Sequence, residues 1–300
     1  MNKDDWKALG TNIIVIIIAA GLAYAISLGG KTISGTNFPI YALAVIIAFG
    51  IQWIVFIPSY IYKTEKYYDL TGSATYTTVI LVSFFLSGNY SPRNILITIL
   101  VLIWTLRLGI FLFRRIMKAG EDQRFREMKK SGIQFFRAWN IQGLWVSLTL
   151  AAALTAITGD LKGSLEQYNA YDWSMLVLGL IVWLIGFGFE VIADRQKKLF
   201  VNNPDNEGKF INVGLWKISR HPNYFGEFTL WLGMALICLP TMQSWRYFGL
   251  ISPIFVFLLL NFVSGVPINE NYADKKWGGQ PDYEEYKRNT PVFFPIKFKK

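Results

Sequence analysis

The feature that most restricts this chain is a series of long apolar runs: Asn12–Leu28, Phe38–Tyr62, Leu70–Ser87, Asn94–Phe113, Phe136–Ile157, Trp173–Ala193, Gly226–Met242 and Tyr247–Val266. Each comes close to or exceeds the ~20 residues that a helix needs to cross a ~30 Å hydrocarbon core. The runs are too long for strands and too evenly apolar for a one-faced surface helix. In lipid, a spanning segment must satisfy its own backbone hydrogen bonds, which a helix does. The expected fold is therefore all-α, a polytopic membrane bundle of about eight transmembrane helices. Charged residues make up 17% of the chain, against roughly a quarter in soluble domains. No length remains for a large separate soluble domain. The first run superficially resembles a signal peptide, but mixed charges precede it and no small-residue cleavage site is clear, so it is read as a span.

The net charge is +10. In a soluble protein that balance would point to nucleic acid; here it reads as membrane orientation. Lys and Arg crowd the N-terminus, the loop holding Lys63 and Lys66, the segments after the fourth and sixth runs, and the C-terminal tail. The opposite loops hold one each: Lys31, Arg93, Lys162 and Arg246. Both termini are expected to face the cytoplasm. A lone cysteine, Cys238, and a lone histidine, His221, exclude an intrachain disulfide and any multi-histidine metal site. No internal repeat, low-complexity segment or Gly/Ser linker divides the chain, so residues 1–300 read as one membrane domain.

Ionisable residues inside spans are costly and mark functional sites by default. Arg107 lies within the fourth run, two helical turns before Arg114 and Arg115, so one face presents a ladder of guanidiniums whose forks match phosphate geometry. Snorkelling toward the interface accounts for Arg114 and Arg115 as well. The sixth run ends in FEVIADRQKK, which sets Glu190, Asp194, Lys197 and Lys198 on one helical face. The densest polar segment is SRHPNYFGE, where Arg220, His221, Asn223, Tyr224 and Glu227 surround Pro222 and Gly226 at the start of the seventh run. A proline-led helix start leaves N–H groups and a positive dipole end available to an anion.

SRHPNYFGE, the GLW before it and SGVPINENYADKKWGGQPDYEEYKRNTPVFFP after the last run resemble the C-terminal half of the steroid 5-alpha-reductase-like membrane family, in a bacterial branch of uncharacterised function. The same Arg-His-Pro core is similar to isoprenylcysteine carboxyl methyltransferases and sterol reductases. The resemblance covers roughly Trp104 to Pro295, and it divides the domain into variable N-terminal helices (1–93) and a cofactor-binding, reductase-like half (94–300). It implies NADPH as cofactor, with Asn223 and Glu227 at the nicotinamide end and Asp194 also on the cofactor. Arg107, Arg114 and Lys209 fall at its basic positions, and Tyr272 and Tyr286 lie in the tail that closes over it. Lys198, Arg220, His221 and Glu270 complete the expected cofactor-binding set. In steroid 5-alpha-reductases a glutamate and a tyrosine polarise the substrate carbonyl. The corresponding positions fall near Asp69 and Trp104, so the tyrosine is absent here; Asp69, Tyr76 and Tyr224 are the candidate proton donors.

The resulting expectation is an NADPH-dependent membrane reductase of a carbon–carbon double bond in a lipophilic, steroid-like or enone substrate. No GxGxxG follows a strand, so the cofactor has to bind inside the helix bundle. Partners are the bilayer and a lipophilic small molecule, with no nucleic acid and no metal. An S-adenosylmethionine-dependent methyltransferase is the alternative, although Glu270 stands alone where those enzymes carry paired glutamates. A non-catalytic lipid-binding membrane protein is the third reading.

Overall fold

The computed structural model describes residues 2–159 and 167–296. Lys162, Lys297, Lys299 and Lys300, which enter the charge pattern above, lie outside those residues. The described chain is helical, with one isolated bridge between Thr32 and Pro39 in place of any strand. Among the described residues, seven helices are long and apolar enough to cross a membrane, and a bent pair makes up to eight. The chain is a multi-pass integral membrane protein.

It divides into two compact units. The first comprises Met1–Met175 and Cys238–Ile251. Its helices are α1 (Lys3–Ser27), α2 (Ile40–Ile61), α3 (Tyr68–Ser87), α4 (Pro92–Ala119), α5 (Gly132–Thr149) and α6 (Ala151–Ile157). Local sequence sets their ends. Asn2 and Asp5 form a reciprocal capping box at the start of α1. Ser91 caps α4 ahead of Pro92, whose fixed φ suits a first helical turn. Gly88 closes α3 at φ 60°, a left-handed conformation that favours glycine. Helix α5 packs on α1 and α2, α2 on α3, and α3 on α4. An aromatic core of Phe125, Phe135 and Trp139 holds the α4–α5 connection against Phe56, Tyr60 and Tyr68.

The fifth apolar run is not one straight span. It breaks between α5 and α6 with a bend of 55°. Neither proline nor glycine lies at the break, but Ser147 and Thr155 donate back to the carbonyls of Gly143 and Ala151, a pattern that bends helices.

The second unit comprises Leu176–Ile237 and Ser252–Lys300. Helix α7 (Ala170–Asn202) enters it, followed by α8 (Pro222–Cys238), α9 (Ile251–Leu258), a π-helical turn over Leu259–Val263, α10 (Gly265–Trp277) and α11 (Pro281–Asn289). Helices α7 and α8 meet backbone to backbone. A Cβ on Gly186 would sit 2.3 Å from the nitrogen of Leu230, and one on Gly233 would sit 2.4 Å from that of Trp183. Such close approach is a common solution in lipid, where no hydrophobic force drives helices together.

Candidate active site

In the second unit the polar segment is gripped from two sides. Between α7 and α8, the indole of Trp216 donates to the carbonyl of Ala193 at 3.1 Å. The amide of Leu215 donates to Oε1 of Gln196 at 2.9 Å. Downstream, the Ser219 hydroxyl donates to the carbonyl of Phe293 at 2.8 Å, and the Arg220 amide donates to that of Pro291 at 2.9 Å. The backbone around Arg220 and His221 is thus fastened to α7 and to the C-terminal tail before α8 begins.

Three polar side chains, Asp194, Asn269 and Glu270, converge on this segment. Asn223 donates from Nδ2 to Oδ1 of Asp194 on α7 at 3.2 Å. Glu270 on α10 takes Arg220 Nη1 at 2.5 Å on one oxygen and His221 Nε2 at 2.7 Å on the other. Tyr224 lies parallel to the His221 ring at 5.4 Å, and its hydroxyl oxygen accepts from Asn269 Nδ2 at 2.6 Å. Burial depresses the His221 pKa, and the Glu270 carboxylate only partly opposes it. The imidazole is therefore neutral at neutral pH, with Nε2–H donating to Glu270. Asn269 was not evident in the sequence, because a lone asparagine in INENYADKK carries no signal until its contact with Tyr224 is seen.

Asn223 Oδ1 and Arg220 Nε are buried without a hydrogen-bond partner among the described residues. Buried polar atoms are normally paired. The set thus leaves an amide acceptor and a guanidinium donor beside a carboxylate, which fits a ligand carrying both an amide and anionic oxygens.

The other expected residues of this unit surround the cluster unevenly. Asp194 and Glu190 are buried on α7, and Glu227 is half-buried on α8. Lys198 and Lys209 are exposed, and so is Tyr272, at 63%. The Tyr286 hydroxyl donates to the carbonyl of Trp216 at 2.6 Å, and burial pushes its pKa up.

The remaining candidates belong to the first unit. Asp69, in the first turn of α3, pairs with Arg115 at 3.5 Å. Tyr76 meets Trp104 edge-on at 5.1 Å, so a phenol from α3 stands beside the α4 position where the resemblance places a tyrosine. Arg107 is half-buried with its guanidinium 5.5 Å from the Phe111 ring, and Arg114 is exposed.

The chain matches, over residues 55–290, the family described as a protein of unknown function, DUF1295. It is similar to steroid 5-alpha-reductase DET2 of Solanum lycopersicum, 27% identical over 132 residues that cover 44% of this chain and 46% of the relative. It is also similar to Delta(14)-sterol reductase of Arabidopsis thaliana, 27% identical over 115 residues covering 31% of each. A probable O-methyltransferase, ustE of Ustilaginoidea virens, is 34% identical over 91 residues, 30% of each chain. The chain spans less than half the length of each of these relatives. No solved structure matches it. With the match covering most of its length, the chain belongs to the DUF1295 family, the steroid 5-alpha-reductase-like membrane proteins.

Proposed function

We propose that this protein is a membrane reductase that uses NADPH to saturate a carbon–carbon double bond in a lipophilic enone. The observation that carries the reading is Asn223, held through its amide nitrogen by Asp194 while its buried carbonyl oxygen has no hydrogen-bond partner among the described residues. That oxygen is an acceptor suited to a carboxamide N–H, and the reductase names of two relatives point to the same cofactor class. In this reading Asn223 and Glu227 hold the nicotinamide end, while Arg220, Lys198 and Lys209 face its anionic part. Arg107 and Arg114 carry the phosphate assignment that the resemblance implies. Both termini face the cytoplasm, where the cofactor is found.

When bound, NADPH supplies the hydride that adds to the β-carbon of the enone. The protein has to polarise the carbonyl oxygen and deliver a proton. Tyr224 is suited to both, because the hydrogen bond that its oxygen accepts from Asn269 stabilises negative charge left after proton release. Asp69 and Tyr76 are the other candidate donors, and each is separable by substitution. Glu270 orders Arg220 and His221 and keeps the charge of the guanidinium compensated.

Titration of the purified protein with NADPH and with S-adenosylmethionine is the decisive experiment. Saturable NADPH binding with turnover of an activated enone is expected. Binding of S-adenosylmethionine alone would replace this reading by the methyltransferase one, which the relative named an O-methyltransferase favours.

A further inference from the structure

The 3-10 helix Ser244–Leu250 follows the span Pro222–Thr241 after two residues and opens the next span, Ser244–Trp277, so chain connectivity places it at a bilayer boundary. Its residues sort by direction. Trp245, Tyr247 and Phe248 are 55%, 51% and 49% exposed, whereas Arg246 between them is 4% exposed. The Trp245 and Phe248 rings stack at 5.7 Å and 11°. With Ser244 and Tyr247 they line an open hollow of about 300 Å³. Ser244 takes a left-handed φ of 49°, which turns the chain into this arrangement.

Arg246 fixes the segment from inside. Nη1 donates to the carbonyl of Ile26 at 3.1 Å, and Nη2 donates to the carbonyl of Thr155 and to the Thr158 hydroxyl. Those groups belong to the C-terminal ends of α1 and α6. Helix C-termini carry unsatisfied carbonyls and partial negative charge, which a cation offsets. The arginine has no carboxylate within ion-pair distance among the described residues, so two helix ends act as its counter-charge. Gly30 leaves room for it, since a Cβ there would lie 2.3 Å from Nη1.

We propose that Ser244–Leu250 is an interfacial membrane anchor. Trp245, Tyr247 and Phe248 occupy the headgroup–acyl boundary of the bilayer, and Arg246 locks the anchor to α1 and α6. The segment packs against α1, a spanning helix that itself leaves Ile17 and Tyr24 exposed. Residues 242–250 contain no acidic side chain, and their single cation points inward. The exposed face is therefore aromatic and uncharged, and indole and phenol rings are the side chains that concentrate at membrane–water boundaries. The occupant is lipid rather than a protein partner, because the segment lies where one span has just ended and the next begins.

The test uses the full chain in phosphatidylethanolamine/phosphatidylglycerol vesicles, with a nitroxide attached at Trp245→Cys, Tyr247→Cys or Phe248→Cys. Cys238 is buried and stays in place. Collision with oxygen should exceed collision with a water-soluble nickel complex at all three positions, and a Gln243→Cys label should show the reverse. Nickel dominance at all three positions would place the face in water. Poor access to both probes would place it against protein. Either result overturns the proposal. Arg246→Gln should loosen the three labels and move them toward water, and Gly30→Ala should do the same from the opposite side of the clamp. Labels unchanged in both folded variants would remove Arg246 from the anchor.

Discussion

His221 Nε2 lies 2.7 Å from Glu270 Oε1, which joins the segment just before α8 to α10 across forty-nine residues of chain. The imidazole is buried and its pKa sits below the ordinary histidine value. An unfolded chain takes up this proton near pH ~6.5, whereas the folded one waits for a lower pH. The stability contributed by neutral His221 is therefore present above that value and lost as pH falls through it. This is the sole histidine in the chain. The Tm in detergent should fall between about pH 7.5 and about pH 5.5 in the wild type and respond less in His221→Gln. A flat wild-type curve would contradict a neutral imidazole.

Asn223→Ala removes the acceptor assigned to the carboxamide. Losing one such hydrogen bond costs about 1–3 kcal/mol, so NADPH affinity should drop roughly ten- to a hundredfold. Calorimetric titration measures this, with Tm as the control for folding. Affinity unchanged in a folded variant would move the nicotinamide elsewhere.

Gly186→Ala and Gly188→Ala should have opposite signs although they lie two residues apart on α7. A Cβ at Gly186 meets the backbone of Leu230 and Gly226, which cannot move aside like a flexible side chain. Overpacking of this kind costs about 1–3 kcal/mol or more. A Cβ at Gly188 meets nothing within 4 Å. There the substitution should gain up to ~1 kcal/mol from helix propensity. Paired thermal melts decide it, and equal effects would refute the tight crossing.

Glu65 is buried outside the spans, with Lys129 Nζ at 2.5 Å and the Asp122 amide at 2.8 Å. Glu65→Gln leaves the lysine without its main partner, which should cost about 3 kcal/mol. Limited trypsin digestion should then cut faster at Arg124, Arg126 and Lys130. Unaltered cleavage would mean that the pair does not hold this connection.

How much of this was legible in the sequence depended on the range of the signal. The apolar runs located the spans, because burial in lipid is imposed residue by residue. The crowding in SRHPNYFGE located the polar cluster, since ionisable groups at a span mouth are costly wherever the chain folds. Contacts between distant residues left no such trace. Lys129 read as one more orienting charge, and its carboxylate lies sixty-four residues earlier. Lys31 and Arg246 read as sparse outer-loop charges, yet both end on carbonyls at helix ends. The run beginning at Tyr247 is uniformly apolar, and nothing in its composition marks the change from 3-10 to α to π geometry.

The π turn at Leu259–Val263 holds one residue more per turn than an α-helix would, with Ser264 donating to Leu259 five positions back. That extra residue acts as a phase shifter for everything after it. Removing it would rotate α10 by about 100° relative to α9, carrying Asn269 away from Tyr224 and Glu270 away from Arg220 and His221 together. Deletion of Asn261 should therefore abolish both contacts at once while leaving every one of their side chains in the chain. In such a variant the pH response of Tm should resemble that of His221→Gln, and a response like that of the wild type would show that the angular setting of α10 is not controlled here.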